Sequence, residues 1–421
     1  MATIGELGER IATLAKKVEE NQKQNDVSSV DPDTAIGLAE ASRVLEQLVL
    51  GPRQTLGMMG LSIHDASSLG VIVNFDMPNL VPSEGSVSFS ELSAQCGLDE
   101  DRLTRILRYA MINHIFREEP AGHVRHTPLS THLAQSPVFC DFLRTLANVF
   151  HPACASLPTA LSRWPQTRSM TEAAHGVAGQ TDLTFYDWLE RKENAALRLN
   201  FDKGMEGISR GGQRLQDTDL RAYPWGKLPE GAVVVDVGGS GRCQERGNFG
   251  PGGHFARDLS AAHPSFSIIV QDLPGVIDQT IKDQKRNSSI FKSVTYQAHN
   301  CFEEQPVKGA DVYFMRHVFH NHPDAECVKI LIALLPALKR GARVLVSEYI
   351  VPPSAELTGG LSTKAMRQMD LLTMSLFNAK ERTKEEYSRL FEQASPALAF
   401  HGTHQVPDDP RSCIFEATFQ G

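Results

Sequence analysis

The sequence predicts an α/β protein in two parts: a seven-stranded, mostly parallel sheet with an antiparallel C-terminal edge, and before it a mostly helical, winged-helix N-terminal domain. Three observations predict it. From residue 232 onward, short and nearly continuous apolar runs alternate with helical segments, the pattern of a parallel sheet covered on both faces. The last two runs are joined by Pro-Asp-Asp-Pro-Arg, a hairpin-like connection and so an antiparallel edge. Residues 35–135 instead carry helical periodicity.

Residues 2–20 place Ile4, Leu7, Ile11, Leu14 and Val18 at alternating steps of three and four, the apolar seam of a short coiled coil. Such a helix packs on its own domain or on a partner subunit, and both readings stay open. A polar linker, 25–34, follows. Residues 38–50 and 101–116 read as helices. The segment 88–97, then Leu98-Asp99-Glu100-Asp101, reads as helix, turn, helix, and 117–131 as a β wing. A winged helix can enter DNA, but this one opens on Asp99-Glu100-Asp101, which repels phosphates. A dimerising or lid domain fits better. Residues 184–208 form an amphipathic helix candidate, and 224–231 a Pro/Gly boundary. Strands are expected at 232–237, 266–273, 294–299, 310–314, 342–350, 397–406 and 413–419, with helices at 253–262 and 325–338. The domains divide as 1–165 and 166–421.

Composition narrows the function. A chain of 421 residues with 41% hydrophobic and 22% charged residues is an ordinary globular protein of two or three domains. A net charge of −8 argues against wrapping nucleic acid by general electrostatics. The seven cysteines are scattered and odd in number, without a CxxC, so neither a disulfide framework nor a zinc ribbon is expected. Glu6 and Glu9 interrupt the N-terminus, so it has no signal-peptide core. The most apolar stretch, 330–338, is far short of the ~20 residues a bilayer needs. The expectation is a soluble, cytoplasmic protein with neither nucleic acid nor membrane as partner.

The first strand of the sheet ends in Asp236-Val237-Gly238-Gly239-Ser240-Gly241. Glycines there let a ligand approach backbone N–H groups, at the strand end where Rossmann-like sheets bind ligands. Asp272 ends the second strand, where an acidic residue takes both hydroxyls of a ribose. NAD and S-adenosylmethionine both fit, although the third glycine of GxGxxG is missing.

VVVDVGGSG, VQDLP, FMRHVFHNHPD, VLVSEYIVPP and NAKERT follow one another in order. Together they resemble the plant- and fungal-type small-molecule O-methyltransferases that use S-adenosylmethionine. The resemblance covers about 225–421, and the N-terminal half resembles that family's dimerisation domain more loosely. It implies S-adenosylmethionine as cofactor, a phenolic or enolic small molecule as substrate, and a homodimer built through the N-terminal domain. It places Gly238, Gly239, Gly241, Asp272, Leu273, Asn300, Cys301 and Arg316 at the cofactor. It makes His320 the base, with Glu348 and Glu381 flanking it.

The chemistry suits those residues. Methylating a hydroxyl needs removal of its proton and in-line placement of the reacting atoms. A phenol has a pKa of about 10, and an imidazole within hydrogen-bond reach is a suitable base. A carboxylate on one ring nitrogen fixes the tautomer and leaves the other nitrogen to act. Glu348 also has a structural reading, buried and paired with Arg382. His151, Phe201, Met205 and Asn378 are candidates to line a substrate pocket between the domains. His320, His322 and Asp324 have a metal-ligand spacing, but no further ligand clusters with them in sequence, and no metal is expected.

Three departures from the family pattern stand out. Eleven residues, 242–252, separate Gly241 from Gly253-His254, where the family's glycine loop runs straight on. This insert is either a tolerated surface excursion or gene-model artefact, or a lesion in the cofactor site. Asn300-Cys301 replace an aspartate and a large apolar residue. Asn321 and His322 replace an aspartate and a tryptophan after the base. These changes keep two alternatives in view. One is a pericyclase or dehydratase of the same fold, with His151, Arg316 and His317 as hydrogen-bonding groups. The other is a non-enzymatic regulator.

Overall fold

The computed structural model describes residues 2–24, 31–211, 218–239, 253–287, 293–354, 360–406 and 412–421. The insert 242–252, Gly241 and the connection 407–411 lie outside them. Helix α1 (Ile4–Gln24) packs on α2 (Pro32–Leu61), which α3 (Ile63–Asn74) follows. The α1 seam therefore packs within its own chain, with Leu7 buried and Ile4 exposed. The 38–50 helix is longer than expected. It bends where Gly51 leaves helical geometry (φ 74°, ψ 171°) ahead of Pro52, which has no N–H to continue the ladder.

The winged-helix pattern is present. The helix Phe89–Cys96 starts on a reciprocal Ser88–Glu91 cap and ends on left-handed Gly97. The next helix, Glu100–Ile112, starts on Asp99 and stops four residues before Phe116, because His114 turns left-handed (φ 57°). Phe116 instead begins the wing: β1 (Val87–Ser88), β2 (Phe116–Glu118) and β3 (His123–His126) pair antiparallel in the order β1-β3-β2. The apolar sides of these elements meet in one core that includes Ile72, Leu103, Leu107, Phe116 and Val124.

The sheet contains β4 (Val233–Val237), β5 (Ser267–Asp272), β6 (Val294–Ala298), β7 (Val312–Arg316), β8 (Arg343–Tyr349), β9 (Leu398–Gln405) and β10 (Ser412–Phe419). Their order is β6-β5-β4-β7-β8-β10-β9; the first five strands are parallel, and β10 runs antiparallel to both β8 and β9. Both faces carry apolar cores, one around Tyr313, Leu331, Tyr387 and Phe415 and the other around Trp225, Phe255, Ile268 and Phe314. That two-sided burial is why the strands read as unbroken apolar runs.

The 184–208 segment is not one helix. It divides into Phe185–Leu189, a short turn Lys192–Asn194 and Ala195–Gly211. The break is the charged run from Glu190 to Glu193, closed by Asn194 donating to the Trp188 carbonyl at 2.7 Å. Phe185 anchors an aromatic core with Phe150, Phe201 and Phe377, which ties residues on both sides of position 165 together.

His175 is buried beside Phe185 and Trp188. Burial pushes its pKa down to about 4, against a weaker Leu183 backbone contact. A histidine lowered on folding contributes stability above its unfolded pKa and loses it as pH falls from about 6.5 towards 4. The expected loss is about 3 kcal/mol at about 1.4 kcal/mol per pKa unit. Melting temperatures across that range should fall in the wild type and less steeply in His175→Leu.

One helical stretch, Asp33–Asn74, is long and apolar enough to cross a membrane by length and composition, with a mean hydropathy of 1.3; the short run 330–338 gives no sign of it. Val49, Leu56, Met58, Met59 and Leu61 are exposed on it.

Candidate active site

The sheet brings the candidate residues to one edge. Gly238 and Gly239 follow β4, Asp272 ends β5, Asn300 and Cys301 lie just past β6, Arg316 ends β7, and Glu348 lies near the end of β8. These are the carboxyl ends of parallel strands, around the point where the strand order reverses between β4 and β7.

Gly238 has φ 76°, and a Cβ there would stand 3.0 Å from Val318. A Cβ on Gly239 would overlap the Asp236 carboxylate. Asp236 joins the site although in sequence it has no role beyond opening the glycine loop. It is buried, and neither carboxylate oxygen has a hydrogen-bond partner among the described residues. Burial pushes its pKa up to about 7; Arg316 opposes this, and Asp272 and Asp219 add to it. Arg316 pairs with Asp219 at 2.6 Å, and Ser347 Oγ donates to the same carboxylate at 2.6 Å. Asp272 accepts from the Leu273 backbone N–H at 2.8 Å, and Leu273 is exposed. Asn300 accepts from the Phe302 N–H at 3.2 Å. Burial, then the Asp272 charge, pushes the Cys301 thiol up to about 11.

His320 sits on a single tight turn, Phe319–Asn321, after β7. Its Nδ1 is 3.1 Å from Glu381 Oε1. Glu381 is held there by the helix Leu361–Phe377, whose Asp370 accepts from the Glu381 N–H at 2.9 Å, and by a parallel bridge from Arg382 to Ile350. Glu348 does not flank the His320 ring in the same way. Its Oε1 accepts from the backbone N–H groups of Phe319 (2.7 Å) and His320 (3.2 Å), while its Oε2 faces His317 Nδ1 at 3.5 Å.

The expected pairing of Glu348 with Arg382 is corrected. Arg382 is fully buried and donates to Asp324 (2.8 Å) and to the carbonyls of Phe319 (2.9 Å) and His322 (2.7 Å). The turn carrying His320 is thus gripped from both sides, its N–H groups by a carboxylate and its carbonyls by a guanidinium. Arg382 is satisfied by backbone carbonyls as well as by the Asp324 carboxylate, and Glu348 Oε1 by backbone N–H groups. Asp324 is this clamp's anchor.

Burial by itself lowers the His320 pKa. The Glu348 charge, then the hydrogen bond and charge of Glu381, outweigh it and push the imidazole up to about 9. Burial, then the His320 charge, takes His322 the other way, to about 4. Burial works to raise Glu348, but His320 and His317 hold its carboxyl below the ordinary range.

The four pocket candidates make contacts with other residues than these. His151 lines a cavity of about 300 Å³ with Ile63, Ser67, Asn74 and Asn148, and burial lowers its pKa. Phe201 is in the aromatic core, and Met205 packs against it. Asn378 is the left-handed cap of the helix Leu361–Phe377 and donates to the Ser169 carbonyl at 2.6 Å.

Residues 171–395 match the model of the O-methyltransferase domain. The chain is 32% identical to a chlorophenol O-methyltransferase of Trichoderma longibrachiatum, over 89% of this chain and 78% of that protein. It is 30% identical to the O-methyltransferase bfoD of Aspergillus brasiliensis, over 89% of this chain and 87% of that one. Among solved structures it is similar to OxaC in complex with SAH and oxaline (TM-score 0.78, 23% identity, 98% of this chain and 100% of that one). It is also similar to a pericyclic reaction enzyme (TM-score 0.74, 20% identity, 98% and 100%).

The residues at the sheet edge fit an adenosyl sulfonium group. The unpartnered Asp236 carboxylate suits an ammonium or an N–H donor, Asp272 suits ribose hydroxyls, and the two glycines leave the space in which a Cβ would stand. The chain belongs to the O-methyltransferase family, and its sheet-edge residues fit that family's cofactor, S-adenosylmethionine.

Proposed function

We propose that the protein methylates a hydroxyl of a phenolic or enolic small molecule of the kind made in fungal secondary metabolism, with His320 as general base. The observation that carries this is the His320–Glu381 contact at 3.1 Å on a turn clamped by Glu348 and Arg382. Glu381 accepts from Nδ1, which leaves Nε2 as the atom that takes the hydroxyl proton. When bound, S-adenosylmethionine supplies a methyl group already activated on a sulfonium. Glu348 and Arg382 keep the turn from moving, so the base holds its place and orientation.

Gly238, Gly239, Asp272, Leu273, Asn300, Cys301 and Arg316 form the cofactor cradle in this reading, joined by Asp236. Gly241 belongs to the same loop and lies outside the described residues. Of the pocket candidates, His151 is the one that lines a cavity. The exposed apolar side chains of α2 suit burial against a second copy, which makes the functional unit a homodimer.

A second reading, a pericyclase or dehydratase that moves no methyl group, is favoured by the Asn321 and His322 replacements and opposed by the intact His320–Glu381 pair. Cofactor carrying a deuterated methyl group, incubated with a panel of phenols, separates the two by mass spectrometry. Label in the product supports transfer. A rearranged or dehydrated product without label supports the second reading.

A further inference from the structure

Two glutamines are completely buried where the sheet otherwise selects apolar side chains. Gln271 lies near the end of β5, and Gln305 lies between β6 and β7. Their amides pair reciprocally: Gln271 Nε2 donates to Gln305 Oε1, and Gln305 Nε2 donates to Gln271 Oε1, both at 2.8 Å. Gln271 Nε2 also donates to Gln297 Oε1 on β6 at 2.8 Å, and Gln305 Oε1 also accepts from the Val307 N–H at 3.1 Å. A buried amide destabilises the fold unless its hydrogen bonds are made. Once made, they demand one distance and one plane, which an apolar pair of the same volume does not.

Both ends of this bridge reach the sheet edge where the cofactor residues gather. The Gln271 carbonyl accepts from the N–H groups of Gly238 (2.8 Å) and Gly239 (3.3 Å), and the next residue is Asp272. The Asp272 carbonyl takes the His299 N–H at 2.8 Å, just where β6 gives way to Asn300-Cys301. The segment 300–305 that starts there ends on Gln305, whose own N–H bonds to the Ala333 carbonyl of the helix Asp324–Leu334 at 3.0 Å. The amide pair therefore ties the far end of that segment directly to β5. We propose that Gln271 and Gln305 are a positioning pair for the cofactor: they hold 300–305 against β5 and so set the width of the adenosine seat between Asp272 and Asn300-Cys301. This rests on the reading that places those residues at the cofactor. Neither glutamine touches the reacting atoms.

The test is calorimetric binding of S-adenosylhomocysteine to the full chain, with melting temperatures alongside, in Gln271→Leu/Gln305→Leu and in Gln305→Asn. The double variant removes both members of the pair together, so neither is left facing an unpaired amide. Gln305→Asn keeps the amide and shortens its reach by one methylene, and it decides the matter if the double variant does not fold. Both are expected to bind roughly tenfold more weakly, the weight of one hydrogen bond, while the double variant melts within a few degrees of the wild type. In turnover with labelled methyl, KM for the cofactor should rise by the same factor and kcat should hold, a split that a structural defect does not give. Wild-type affinity in a folded variant overturns the proposal, as does a fall in kcat with KM unchanged. A loss of affinity that appears only where the melting temperature falls makes the pair structural and overturns it too. Absence of binding in the wild type itself removes the cofactor reading, and the proposal with it.

Discussion

Replacing His320 by glutamine is expected to lower kcat for methyl transfer by roughly 10²–10⁴-fold, the contribution of a positioned general base, while cofactor affinity stays within a few fold. Glutamine can still donate to Glu381, so the buried carboxylate keeps a partner and the turn keeps its clamp. What it cannot do is accept a proton in the relevant pH range. Steady-state kinetics with labelled cofactor, alongside a cofactor titration, checks both halves. Unchanged kcat would remove His320 from the chemistry. Lost cofactor affinity with normal kcat would make it a binding residue.

The second large effect is on pH dependence. An imidazole with a pKa of about 9 is neutral in about one molecule in a hundred at pH 7. The acid limb of kcat/KM reports the free enzyme's essential base. It should therefore rise roughly tenfold per pH unit from pH 7 and level above pH 9, about a hundredfold higher on the plateau than at pH 7. A bound sulfonium disfavours the imidazolium, so the limb of kcat should lie at lower pH than that of kcat/KM. Stability runs the other way. A histidine raised on folding contributes fully below its unfolded value of about 6.5 and loses the contribution as pH rises through about 9, here about 3 kcal/mol at about 1.4 kcal/mol per unit. The enzyme should thus be most active where this cluster stabilises it least.

Much of the sheet is legible in sequence because its strands are buried on both faces and cannot afford polar interruptions. The apolar stretches 233–235 of β4 and 344–346 of β8 show it best, and the polar residues that follow each, Asp236 and Ser347-Glu348, belong to the site. Helices read less well where one residue overrides periodicity: Gly51 bends α2, His114 ends Glu100–Ile112 early, and Asn194 closes the break in 184–208. In the site, His320 and Glu381 are found through their motifs. The roles of Glu348 and Arg382 are not, because each grips backbone atoms far away in the chain, which sequence spacing does not encode. Asp236 is hard to read for a related reason. A strand aspartate looks like the start of a glycine loop until its burial and its lack of a partner are seen. His317 carries no signal beyond its place in the FMRHVFHNHPD motif.

The central claim is that the Glu381-backed His320 takes the substrate proton. The kcat/KM pH profile of Glu381→Gln beside that of the wild type tests it most directly. Removing the carboxylate's charge and its charged hydrogen bond lowers the His320 pKa. The acid limb should therefore move to lower pH by a unit or more, with a reduced plateau from the lost orientation of the ring. A limb that stays where the wild type has it, with methyl transfer intact, would show that some other group takes the proton.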